Sequence, residues 1–268
     1  MVRYTVNASI LLTDRPLLER PAAAAEAGFG AVEFWWPWAT AVPGDAEVDA
    51  FVRAVRDAGV QLTGLNFFAG DMPGGERGLV SQPARSQEFR DNIDVVVGIG
   101  EQLGCRGFNA LYGLRVDGAD VAASEEAATE NLLAASAAVA AIGGTVLLEP
   151  VSGAAGYPLL TARDALDVVD RVNGAGGSAV ALLADFYHLA VNGDDVAAVV
   201  EQHAAQFGHI QIADAPGRGE PGTGDLPLQE WIERSYALGY DGWVGLEYKT
   251  DAADPFVWLP REQRGAPA

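Results

Sequence analysis

The run Trp243-Val244-Gly245-Leu246 has the makings of a buried strand, yet it stops on a carboxylate, Glu247. A charge in that position is costly unless it is paired, bound to a metal or turned into solvent. The ending recurs. Val146-Leu147-Leu148 stops on Glu149, Ala181-Leu182-Leu183-Ala184 on Asp185, and His209-Ile210 on the neutral amide of Gln211. A lone buried glutamate reads as readily as half of a structural ion pair. Several carboxylates meeting without matching cations would repel one another or protonate unless a cation neutralised them. Glu149, Asp185, Gln211 and Glu247 together would form a hard, oxygen-rich set. Such a set suits Mg²⁺ or Mn²⁺, with Co²⁺ also open, better than a structural Zn²⁺, which wants Cys or several His. The 3 histidines are too scattered for a His-rich site. His203 falls in a helical stretch and reads as surface. His209 shares its facing with Gln211 one layer deeper, where a core histidine is commoner than a ligand. His188, on the helical side of Asp185, either orients a substrate or ligand or serves the core.

For these side chains to meet, their runs must be neighbouring strands that open on one rim. The chain repeats a unit that achieves this: a helical pattern, a small residue and Gly, then an apolar strand. Gly28 precedes a strand ending near Glu33, Gly59 one ending near Asn66, and Gly104 one ending near Asn109. Gly143, Gly208 and Gly239 lead into the strands of Glu149, Gln211 and Glu247. With the strand of Asp185 and the opening "YTVNASILL", which offers Asn7, about eight strands alternate with helices. This is the pattern of βαβ units around a parallel sheet, and that number favours a closed (β/α)8 TIM barrel, a single domain over residues 1–268. A doubly wound sheet would want a Gly-x-Gly-x-x-Gly turn after the first strand, where "SILLTDRP" stands instead. In a barrel the chemistry sits at the C-terminal ends of the strands, where the seventh also delivers Asp214 and the eighth Lys249.

Composition sets the outer limits. A net charge of -20 repels phosphate backbones and anionic lipid, so neither nucleic acid nor a membrane surface is an expected partner. No apolar run approaches the roughly 20 residues of a membrane span. The single cysteine, Cys105, forms no intrachain disulfide and reads as inert core; with no signal-like segment at "MVRYTVNASI", the expected home is the cytoplasm. Oligomeric state is left open, a homo-oligomer included.

At these residues the sequence resembles the hydroxypyruvate isomerase family of the xylose-isomerase-like TIM barrels, a superfamily that also holds ketose 3-epimerases and endonuclease IV. The resemblance rests on "AGFGAVEFWWPW", "LNFFAGDMPGGERGL" with "QPAR", "LLEPVS", "ADFYHLAVNGD", "GHIQIADAPGRGEP" and "GYDGWVGLEYK". It implies that Glu149, Asp185, Gln211 and Glu247 bind a divalent metal and that Glu149 and Glu247 move protons. The implied reaction interconverts hydroxypyruvate and tartronate semialdehyde through an enediolate. "LADFYH" departs from the family's usual Asp-Thr-Phe-His but keeps the spacing from Asp185 to His188. The implied substrate is a small anionic 2-oxo acid, so a cation should meet its carboxylate. Arg218, in the loop after the seventh strand, is the first choice and Lys249 the second. Arg77, in the Gly-rich loop 69–78, would act from a lid or remain solvated. The aromatics Phe34, Trp35, Trp36 and Trp38 would wall the pocket or pack under their own loop. The nearest rival keeps the chemistry and enlarges the substrate to a longer 2-oxo acid or a ketose. An endonuclease-IV-like phosphodiesterase is opposed by the histidine count and the charge, and a barrel that binds a metabolite without turnover by the presence of both glutamates.

Overall fold

The computed structural model describes residues 2–116 and 118–265. Strands β1 (Tyr4–Asn7), β2 (Ala31–Phe34), β3 (Gln61–Asn66), β4 (Gly107–Asn109), β5 (Thr145–Leu148), β6 (Val180–Asp185), β7 (Phe207–Ile212) and β8 (Val244–Leu246) form a closed parallel barrel in sequence order. The last strand shuts it on the first, with Tyr4 opposite Val244 and Val6 opposite Leu246. Strand interiors are almost wholly buried, because one face fills the barrel and the other meets the helices.

The helices are α1 (Arg20–Glu26), α2 (Asp45–Ala58), α3 (Ser86–Leu103), α4 (Val121–Ala140), α5 (Ala162–Gly174), α6 (Phe186–Val191), α7 (Val196–His203) and α8 (Leu228–Ala237). In α2 the stripe Phe51, Val52 and Val55 is buried, and Gly59 ends the helix at φ +68. Helix α5 begins on a capping box in which Thr161 and Asp164 bond each other's backbone N–H. No helix among the described residues is long and apolar enough to cross a membrane.

Two details differ from the repeat read in sequence. After β6 the chain makes two short helices, α6 and α7, where one was expected. Gly208 lies inside β7 and does not end the preceding helix. It falls where the pairing with β6 slips, and a Cβ there would meet Leu147 Cδ2 at 2.5 Å and Ala181 Cβ at 2.9 Å. Packing thus requires this glycine. His203 is half-buried, not a surface residue.

The C-terminal segment closes over the end of α1 and the start of β2. Arg264, only 8% exposed, donates to Leu259 O (2.9 Å), Ala27 O (2.8 Å) and Phe256 O (2.8 Å). Its guanidinium also lies 5.7 Å from the ring centres of Phe29 and Phe256.

Candidate active site

Glu149 and Glu247 stand immediately after β5 and β8, Asp185 closes β6, and Gln211 lies opposite Asp185 in β7. All four are buried. Beneath them Glu33 anchors a polar layer: its Oε1 accepts from Asn7 Nδ2 (3.1 Å) and Gln211 Nε2 (2.7 Å), and its Oε2 meets His209 Nε2 (2.7 Å). His209 is therefore a buried partner of Glu33. The bond from Nε2 fixes which way the Gln211 amide faces. Gly245 makes room for this layer, since a Cβ there would lie 2.7 Å from Glu33 Oε1 and 2.8 Å from Gln211 Cγ.

Glu149 Oε2 accepts from Asn109 Nδ2 at 2.6 Å, and its main-chain oxygen accepts from Tyr157 Oη at 3.1 Å. Burial, and then the charge of Asp185, push the Glu149 carboxyl up to about 8. Asp185 caps α6, its Oδ1 accepting from His188 N at 3.0 Å. The Ser152 backbone N–H donates to His188 Nδ1 (3.0 Å), and Ser152 Oγ lies 2.7 Å from the same nitrogen. A nitrogen that accepts from a backbone N–H carries no proton, so the neutral ring bears its proton on Nε2. Burial holds the imidazole neutral, down to about 4. Nε2 lies 3.7 Å from both Glu149 Oε1 and Asp185 Oδ2. Ligand-type atoms of Glu149, Asp185 and His188 lie within 4.8 Å of one another.

Glu247 Oε1 receives Arg218 Nη2 (2.7 Å) and Trp35 Nε1 (3.2 Å), and burial raises its carboxyl well above the usual range. Arg218 also donates from Nε to Glu247 O at 3.2 Å. Burial opposes its charge, but Glu247, Asp185 and Glu149 outweigh this and raise its pKa. Arg218 sits at φ +59, a left-handed conformation held by its loop: Asp214 N and Gly219 O are 2.8 Å apart, and Lys249 N donates to Arg218 O at 2.7 Å. Asp214 organises the same loop, accepting from Ala215 N, Gly222 N and Leu226 N. The Lys249 side chain is exposed and does not line the cavity.

A cavity of about 640 Å³ opens above these groups, lined by Glu149, His188, Arg218 and Glu247. Trp35, Trp36 and Trp38 wall it, and Arg77 reaches it from loop 69–78. Phe34 belongs to the core, edge-on to Phe51. Sequence reasoning missed Ser152, Tyr157 and the bond from Trp35 to Glu247. The only signal for Ser152 was its place just past Glu149 in "LLEPVS".

The donor set fits a hard divalent cation. Asp185 Oδ2, Gln211 Oε1 and Glu247 Oε2 are buried with no hydrogen-bond partner. Three such oxygens are expensive to bury uncompensated, and one cation would compensate them all. Two of the three belong to carboxylates, and Arg218 alone does not balance the acids of the site.

The sequence profile described as "Xylose isomerase-like TIM barrel" matches residues 21–265. A Streptomyces coelicolor protein provisionally named a hydroxypyruvate isomerase is 52% identical, with 98% of each chain covered. A 2-oxo-tetronate isomerase of Cupriavidus necator is 36% identical over 94% of each chain. Hydroxypyruvate isomerase of Escherichia coli is 32% identical over 93% of this chain and 94% of its own. Among solved structures, one from Brucella melitensis titled AP endonuclease, family 2, superposes with a TM-score of 0.87 at 34% identity, covering 97% of this chain and 98% of that one. The chain belongs to the xylose isomerase-like TIM barrel family, and within it stands among hydroxypyruvate isomerase and 2-oxo-tetronate isomerase relatives.

Proposed function

We propose that the protein is a divalent-metal-dependent isomerase that interconverts hydroxypyruvate and 2-hydroxy-3-oxopropanoate by proton transfer through an enediolate. The observation that carries the reading is the set of unpartnered buried oxygens on Asp185, Gln211 and Glu247, grouped with Glu149 at one rim of the barrel. The relatives' names support it.

Glu149, Asp185, Gln211 and Glu247 would hold the cation, Mg²⁺ or Mn²⁺ by its oxygen ligands, whose charge favours the negative charge that develops on the substrate oxygens as a carbon-bound proton leaves. One of the two glutamates takes that proton and one of them returns it to the neighbouring carbon. Arg218 and Trp35 hold the Glu247 carboxylate from one side, which leaves Oε2 for this work. His188 offers its Nε2 proton to a substrate oxygen while Ser152 fixes the ring.

A second reading lengthens the substrate to the four-carbon 2-oxo-tetronate, supported by the Cupriavidus relative's name and by a cavity of about 640 Å³, roomy for a three-carbon acid. A phosphodiesterase would call for histidine-rich ligation and attraction to nucleic acid, which 3 histidines and a net charge of -20 oppose.

Proton NMR of both acids with purified protein tests the proposal. Turnover should vanish on chelation and return with Mg²⁺ or Mn²⁺. Full activity of protein shown metal-free by elemental analysis would sink the metal assignment. Failure to convert either acid would sink the reaction.

A further inference from the structure

Two arginines line the cavity, and their surroundings differ. Arg218 is engaged with Glu247 through two donors, so its charge is already matched. Arg77 makes no salt bridge among the described residues, although Glu76 is its neighbour in sequence. The Glu76 carboxylate is diverted: Oε1 pairs with Arg85 Nη1 at 2.6 Å and Oε2 accepts from Asp71 N at 2.6 Å. Meanwhile Arg77 Nη1 is fixed by two main-chain carbonyls, Met72 O (2.9 Å) and Glu76 O (2.6 Å). These bonds orient the half-buried guanidinium without neutralising it, and Nε and Nη2 remain free of hydrogen bonds among the described residues.

The loop that carries Arg77 is held at its neck. Gly78 N donates to Ala69 O at 2.9 Å, and Gly78, at φ +108, presses so close to Leu111 that a Cβ would fall 1.9 Å from the Leu111 carbonyl oxygen. No larger residue fits there. An oriented, uncompensated guanidinium at a cavity of a chain with net charge -20 has a specific use: it can receive an anionic group through two parallel N–H bonds. His188 cannot share the task, because burial keeps it neutral.

We propose that Arg77 is the specificity residue that binds the substrate's carboxylate, while Arg218 positions Glu247. The assignment rests on the reading that the cavity takes a small 2-oxo acid and names the group that distinguishes it from a neutral sugar.

The test uses the metal-loaded protein and the variants Arg77→Ala, Arg77→Met and Arg77→Lys. Arg77→Met keeps the aliphatic stem and carries the test should Arg77→Ala not fold. For hydroxypyruvate, Arg77→Ala or Arg77→Met should raise KM about 30-fold or more with kcat changed less than about threefold, and Arg77→Lys should recover part of the loss. A merely structural role would lower kcat and would not be repaired by a change of charge-bearing group. An activity-free arm follows emission of the cavity tryptophans during titration with pyruvate and, as its neutral counterpart, methyl pyruvate. Loss of the charge should weaken pyruvate about 30-fold and leave methyl pyruvate within twofold. If wild type isomerises no 2-oxo acid but its pyruvate binding depends on Arg77, the reaction reading fails and the anion site stands. If the uncharged variants bind pyruvate as wild type does, or if wild type does not bind it, the Arg77 assignment is overturned whatever the enzyme turns over.

Discussion

An amide among carboxylates sets the charge of the rim. Glu149, Asp185 and Glu247 oppose the single charge of Arg218, and the deficit is what one divalent cation fills; a fourth acid in place of Gln211 would overfill it. The amide is also the group that can donate downward to Glu33 while presenting an oxygen upward. Glu149→Gln and Glu247→Gln should each leave a folded barrel by circular dichroism and lower kcat by about a hundredfold or more, the scale of lost general acid/base catalysis. A variant that keeps near-native turnover removes its glutamate from the proton transfer. The four oxygen donors were legible because an apolar run stopping on a polar oxygen is a one-dimensional pattern. The partners that orient them were not: Ser152 and His188 are 36 residues apart, and Trp35 and Glu247 are 212 apart. Loop geometry, which no periodicity records, brings them together.

At the scale of elements, β7 and its loop show how a strand end becomes an instrument. Asp214 looked like one more rim acid in sequence, yet its carboxylate serves as the hub of the loop, accepting from Ala215 N, Gly222 N and Leu226 N at 2.9, 2.9 and 3.0 Å. That loop holds Arg218 in its left-handed conformation against Glu247. Asp214→Ala should reduce stability by about 2–4 kcal/mol in urea unfolding, since hydrogen bonds to a charged group are lost and buried N–H groups lose their acceptor. It should also lower kcat, because Glu247 loses its positioning partner. Unchanged stability and rate would mean that the loop holds its shape without the hub. The repeat itself was readable from glycines that end helices, at Gly59, Gly104 and Gly143, all with positive φ. Gly208 broke the pattern because its reason is steric, a bulge beside Leu147 and Ala181 that only the assembled sheet reveals.

The whole molecule depends on closure, and β8 against β1 is the seam. Without it Glu247 has no fixed place opposite Glu149, so the site is a property of the complete barrel. The end farthest from the chemistry is closed differently, by Arg264 threaded among Ala27, Phe256 and Leu259. Trypsin must take an arginine side chain into its own specificity pocket. Arg264 can enter only after three carbonyl bonds break and two aromatic faces let go, so cleavage after it reports release of the tail. In limited proteolysis followed by mass spectrometry, that bond should be cut far more slowly than those after exposed arginines such as Arg53 or Arg163 placed in unfolded peptides, and Arg264→Lys should hasten tail loss. Cutting of the native tail at the peptide rate would show that the pin does not form. The burial of one guanidinium thus makes a protease site into a clock for the opening of the barrel floor.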